Sequence, residues 1–171
     1  MLTMAPPLAT DAIPLRRAFV DIRDLLRRAL DILHRQAATF DIGLDVRVDE
    51  NVPTTAFLDA GKIAWAITSL VGNALRYARR GSMTMPGGSI AVHVAYESGQ
   101  MTIAVQDDGP GIPSDRLQAL FSPPPQTSAA ALGLAMVKDV VEAHGGSFAI
   151  ESDTRAPSHG TTVRLTLPVA A

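Results

Sequence analysis

The sequence has 171 residues, 47% of them hydrophobic and 19% charged, which fits one globular domain able to bury a core and excludes disorder as the default. A formal charge of -2 and 5% aromatic content give no sign of a nucleic-acid surface. With no cysteine, no apolar run near the roughly 18 residues of a membrane span and no basic flank at the start, the chain reads as soluble and cytoplasmic, without membrane contact.

Residues Met1–Pro14 carry three prolines and no period, and read as a tail or linker ahead of a domain over 15–171. From Leu15 to about Phe40, apolar residues at Phe19, Ile22, Leu26, Leu30, Leu33 and Ala37 recur at steps of three and four, predicting one amphipathic helix. Its arginines alternate with Asp21, Asp24 and Asp31, the pattern of a solvated face. Ile42 to Val48 alternates as a strand, and a polar segment to Thr55 leads into a second helix over about Asp59–Arg79.

That helix separates two faces. Ile63, Ile67, Leu70, Val71, Ala74, Leu75 and Ala78 fall on one side, and Ser69, Asn73, Arg76, Tyr77 and Arg80 on the other. Asn and Ser are mediocre helix formers, so a strip of amide, hydroxyl, guanidinium and phenol at this spacing suits a site as well as a solvated surface. An amide oxygen on Asn73 is a hard ligand of the kind Mg²⁺ accepts when phosphates supply other ligands. Arg76 beside it offers a guanidinium to phosphate oxygens.

Gly87-Gly88 precedes a hairpin, Ser89–Tyr96 and Met101–Gln106 joined by a short turn at Glu97–Gln100. Asp107 thus ends a strand, and Gly109 and Gly111 after it allow positive φ and close approach of another molecule, while Pro110 and Pro113 stiffen the loop. A carboxylate at the base of an apolar pocket can accept from an exocyclic amine, which adenine offers; an ordinary acidic turn has the same composition. Ser114–Phe121 reads as a short helix and Ser122–Ala131, with three consecutive prolines, as a flap. Leu132–Ala143 is a helix with Gly133 near its start, where free amides face phosphate oxygens. His144-Gly145-Gly146 caps it, and Ser147–Glu151 and Thr161–Pro168 are closing strands. The order predicts an α+β fold, a two-layer sandwich whose mixed sheet is covered on one face by helices.

Four segments in order, S-L-V-G-N-A-L-R-Y, D-D-G-P-G-I-P, A-L-G-L-A-M-V-K-D-V-V-E-A-H-G-G and G-T-T-V-R-L-T-L-P, resemble the successive boxes of the ATP-binding domain of sensor histidine kinases, a member of the Bergerat-fold superfamily. The resemblance runs from about Phe19 to Pro168. It implies binding of ATP with Mg²⁺, with Asn73 as metal ligand, and Arg76 and Tyr77 near the phosphates and base. It further implies Asp107 as reader of the adenine amine, and Gly109, Gly111, Ile112, Leu132, Gly133, Leu134 and Thr161 or Thr162 as nucleotide-contacting positions, with Phe121 as the aromatic of the flap. Asn73 and Arg76 are then the catalytic candidates.

Three positions depart from the family pattern. Ser69 stands where histidine kinases commonly carry a second asparagine and their hydrolysing cousins a water-activating glutamate. Ala129-Ala130-Ala131 replaces glycines of the second glycine box, and Pro123-Pro124-Pro125 stiffens the same segment. None of His34, His93, His144 and His159 precedes an acid, so the phosphoacceptor is expected on a separate histidine-containing dimerisation domain, with a response regulator downstream. A nucleotide-binding or docking module that has lost catalysis, and an anti-sigma-factor-type serine kinase, are the alternatives that the sequence leaves open.

Overall fold

The structure, a computed structural model, describes residues 13–121 and 129–170, apart from the side chains of Ala129 and Ala130. The tail at Met1–Pro14 therefore lies outside the described residues except for Ile13 and Pro14, and so does the flap apart from residues 129–131. The elements are β1 (Ala18–Asp21), α1 (Ile22–Thr39), β2 (Gly43–Val48), β3 (Thr55–Leu58), α2 (Ala60–Tyr77), β4 (Ser89–Glu97), β5 (Gln100–Asp107), α3 (Ser114–Ala119), α4 (Ala129–Ala143), β6 (Ser147–Asp153) and β7 (Gly160–Pro168).

Five strands form one sheet in the order β2-β4-β5-β7-β6. β2 runs parallel to β4 and every other pairing is antiparallel, so the sheet is mixed as expected. Alternation does the sorting. Ile90, Val92 and Val94 of β4, Met101, Ile103 and Val105 of β5, and Val163, Leu165 and Leu167 of β7 are buried beneath the helices, while Ala91, Thr102, Ala104, Thr162 and Arg164 take the opposite face. The turn between β4 and β5 places Ser98 at φ 51° and Gly99 at φ 79°, the two positive values that match a tight turn to strand twist. α1 packs on α2 and α2 on α4.

The amino-terminal helix starts later than its periodicity suggests. Ala18–Asp21 is a strand, paired antiparallel with β3 so that Phe19 faces Phe57, and β3 was invisible in a segment that reads as polar. Asp21 is the reason for the break: its extended backbone and its carboxylate, which accepts from the Asp24 amide at 2.8 Å, cap α1 at Ile22. Phe19 consequently leaves the apolar stripe and is 78% exposed, stacked against Phe57 with ring centroids 5.2 Å apart. Along α1 the buried residues are Ile22, Leu25, Leu26, Leu30 and Ala37.

A second cap ties the helical layer together. Asp59 precedes α2 and accepts from the Lys62 amide at 3.0 Å, the Arg16 amide at 2.8 Å and the Lys62 ammonium at 3.2 Å. Its own amide donates to His144 Nε2 at 3.1 Å, so that nitrogen is the acceptor and Nδ1–H donates to the Val140 carbonyl at 2.8 Å. The histidine is therefore structural. Gly145 at φ 77° and the bonds from Gly145 and Gly146 amides to Glu142 and Val141 carbonyls complete the helix end. Burial pushes the Asp59 carboxyl up, but these donors outweigh it and bring it from 3.8 to about 2. Because the folded value lies below the unfolded one, the stabilisation is present above pH 3.8 and is lost as pH falls towards 2. Asp59→Asn is expected to remove about 2 kcal/mol at neutral pH and to flatten the acid limb of a Tm-against-pH profile.

Candidate functional site

A cleft of about 330 Å³ opens where α2, the ends of β5 and β7, α3 and α4 converge. Asp107 lies at its base because β5 ends there, in register with Thr161 of β7. Burial raises the Asp107 carboxyl above its ordinary range, backbone hydrogen bonds from Gly109 and Thr161 pull it down, and the neighbouring Asp108 charge adds to the rise. The net direction is upward. Asp108 itself is turned away: its carboxylate accepts from the Ser89 amide at 2.9 Å and the Ser89 hydroxyl at 3.1 Å. Two adjacent acids are thereby given separate tasks, one in the cleft and one holding the start of β4.

The interior above Asp107 is apolar, formed by Leu70 and Ala74 of α2, Val105, Ile150 and Val163 of the sheet, and Leu134 of α4. The lining also carries polar side chains, Asn73 and Tyr77 from α2 and Arg116 from α3 among them. Asn73 is half-buried, and its carboxamide makes no hydrogen bond to protein among the described residues. Such a pocket, apolar with few convergent polar groups, has the composition of a small-molecule site.

The loop after Asp107 is held from behind. Ile112 N–H donates to Ser152 Oγ at 2.7 Å, and that hydroxyl lies 2.9 Å from the Gly160 carbonyl and 2.8 Å from Thr161 Oγ1. The Gly109 carbonyl accepts from His159 Nδ1 at 2.6 Å. Gly111, at φ 76°, packs so tightly that an added Cβ would overlap the Asp153 carbonyl. Ser152 and His159 escaped the reading of the sequence, since one is a small polar residue in a strand and the other sits in an irregular connection. Only the β6–β7 register brings them under the loop.

Of the positions expected at the site, Asn73, Tyr77, Asp107, Gly111, Ile112, Leu134 and Thr161 line the cleft together. Gly109 stands behind Asp107, donating its amide to Oδ1 at 2.9 Å. Arg76 is exposed on α2 and does not line the cleft, and Thr162 points to the other face of the sheet by strand alternation. Leu132 is exposed, and Gly133 does not line the cleft either. The expected helix start is corrected here: α4 is in place from Ala129, so the Gly133 amide falls within the helical ladder rather than among the free first-turn donors. Alanines favour helix strongly enough to extend it there. Phe121 packs edge-on against Phe148, with centroids 5.6 Å apart. Arg116, Leu120 and Ala131 also line the cleft, without a signal in the sequence to single them out.

Residues 58–171 match the family described as histidine kinase-, DNA gyrase B-, and HSP90-like ATPase. The chain belongs to this family. It is 30% identical over 159 residues to the alginate biosynthesis sensor protein KinB of Pseudomonas aeruginosa, covering 91% of this chain and 25% of that protein. Among solved structures, full-length ShkA in complex with AMPPNP superposes with a TM-score of 0.76 at 26% identity, over 94% of this chain and 32% of ShkA. The mycobacterial sensor histidine kinase MprB superposes with a TM-score of 0.73 at 27% identity, over 90% of this chain and 98% of that one. The domain is thus of the ATP-binding catalytic type found in sensor histidine kinases, and its two-layer α+β fold is the one expected. The chain spans about a quarter of the length of KinB. No helix among the described residues is long and apolar enough to cross a membrane.

Proposed function

We propose that this domain binds ATP with Mg²⁺ and donates the γ-phosphoryl group to a histidine on a dimerisation domain outside the chain, from which a response regulator takes it. The observation that carries the reading is the pairing of the Asp107 carboxylate, at the base of an apolar cleft, with an Asn73 carboxamide on the same lining that has no hydrogen-bond partner among the described residues. In this reading Asp107 accepts from the adenine amine, Thr161 and Ile112 flank the base, and Tyr77 covers it. The Asn73 oxygen is one hard ligand, and among the described residues no group of three or more acidic, histidine or cysteine side chains forms a competing metal cage. That donor set suits Mg²⁺, which when bound neutralises phosphate charge and takes its remaining ligands from water and phosphate oxygens. The external imidazole nitrogen forms a bond to the γ-phosphorus as the bond to the bridging oxygen breaks and ADP leaves. The chain's role is to hold the donor in line.

Ser69, one turn before Asn73, supplies no carboxylate to activate water, which fits transfer to a histidine rather than hydrolysis. ATP as donor places the domain in the cytoplasm. Asn73→Ala is expected to lower phosphoryl transfer to a histidine domain supplied in trans at least about a hundredfold, with an unchanged circular dichroism spectrum. Transfer at the wild-type rate would remove the metal assignment. One observation favours a second reading, a module that binds nucleotide without transferring phosphate: α4 runs from Ala129 and leaves Gly133 a turn inside the helix. That reading predicts nucleotide binding with no phosphohistidine under any partner.

A further inference from the structure

The phosphate end of a nucleotide in this cleft needs a cation, and the position expected to supply it, Arg76, does not line the cleft. Among the described residues lining the cleft, Arg116 of α3 is the cation. Elsewhere on the surface, Arg27, Arg28, Arg35, Arg47, Arg155 and Arg164 each lie against a carboxylate. Arg116 has no such partner among the described residues, and its guanidinium is left with unused donors. The sequence from Leu117 to Val137 contains no lysine or arginine, and Lys138, the next cation, is bound to Glu142 at 2.9 Å. The wall made by α3 and α4 therefore has one source of positive charge facing the cleft.

Polarity fixes which part of a ligand that charge meets. The apolar interior and Asp107 suit a flat base with an exocyclic donor, so phosphates attached to it need the remaining polar side chains of the lining, among which Asn73 and Arg116 come from different elements. A planar guanidinium matches phosphate oxygens with paired hydrogen bonds. We infer that Arg116 contacts the phosphate chain of the bound nucleotide from the α3 side, opposite the metal held by Asn73; this rests on the nucleotide reading of the cleft.

Calorimetric titration with AMPPNP plus Mg²⁺, and separately with adenosine, tests it on wild type, Arg116→Ala and Arg116→Lys. Arg116→Ala is expected to weaken AMPPNP binding about tenfold, the loss of one charge-assisted contact at an exposed position, and to leave adenosine binding and Tm unchanged. Arg116→Lys keeps the charge and loses the fork, so it is expected to recover part of the affinity. Added salt should weaken AMPPNP binding to the wild type more than to Arg116→Ala. Equal losses for AMPPNP and adenosine would make Arg116 a support of the cleft wall and overturn the inference, and so would an unchanged AMPPNP affinity. A folded wild type that binds neither ligand would overturn the nucleotide reading itself, and this inference with it.

Discussion

Asp107→Asn is expected to weaken binding of AMPPNP with Mg²⁺ by about a hundredfold, measured by calorimetry, while leaving the fold intact. A carboxylate offers only acceptors. Oδ1 of Asp107 takes the Gly109 amide at 2.9 Å, and the carboxylate, which also accepts from the Thr161 amide, keeps further lone pairs for a ligand donor. Asparagine keeps one oxygen, which Gly109 retains, and turns its NH₂ towards the exocyclic amine, so donor meets donor in a partly buried setting. The lost charge-assisted bond and the two unpaired donors are each worth about 1–3 kcal/mol, which sets the scale. The variant should fold at least as well as the wild type, because burial and the adjacent Asp108 charge already work against the ionised form. An unchanged affinity would put the base somewhere other than above Asp107.

The same carboxyl gives the wild type a pH dependence. Its value in the free protein is raised, chiefly by burial, and a ligand that donates to the ionised form lowers it again. Binding therefore releases a proton once pH approaches the raised value. Affinity should begin to fall, as pH is lowered, before an ordinary carboxylate would titrate.

Much of this arrangement is legible in the sequence, because it depends on local rules. Strict alternation gave the β4–β5 hairpin and put Asp107 at its end, and the helical period of α2 separated the Leu70 and Ala74 face from Asn73 and Tyr77. What was not legible depends on pairing across the chain. β1 and β3 are four-residue strands that exist through each other, and a helical period running through Phe19 hides the first of them until the Asp21 cap is recognised. Ser152 and His159 become part of the site only because the β6–β7 register carries them beneath a loop some forty to fifty residues earlier in the chain. Thr161 and Thr162 show the same limit at finer scale: the motif admits either, and strand alternation turns only the first into the cleft.

Two glycines that look equivalent in sequence should respond in opposite ways to alanine. Gly111 has φ 76°, a region that costs an L residue about 1–2 kcal/mol, and its new Cβ would overlap the Asp153 carbonyl, a backbone atom that no side-chain rotation can move. The loop must then withdraw from the end of β6, taking Ile112 N–H away from Ser152 Oγ. Gly111→Ala is expected to lose about 2–4 kcal/mol of stability in a urea titration and at least tenfold in nucleotide affinity. Gly133, by contrast, lies inside α4 with nothing within 4 Å of an added Cβ among the described residues. Gly133→Ala should be neutral or gain up to about 1 kcal/mol, the usual difference between these residues in a helix. A Gly111→Ala protein as stable as the wild type would contradict the left-handed loop geometry. Loss of nucleotide binding in a stable Gly133→Ala protein would mean that this segment must leave the helix when ligand arrives, so that the glycine serves a bound conformation different from the one described here.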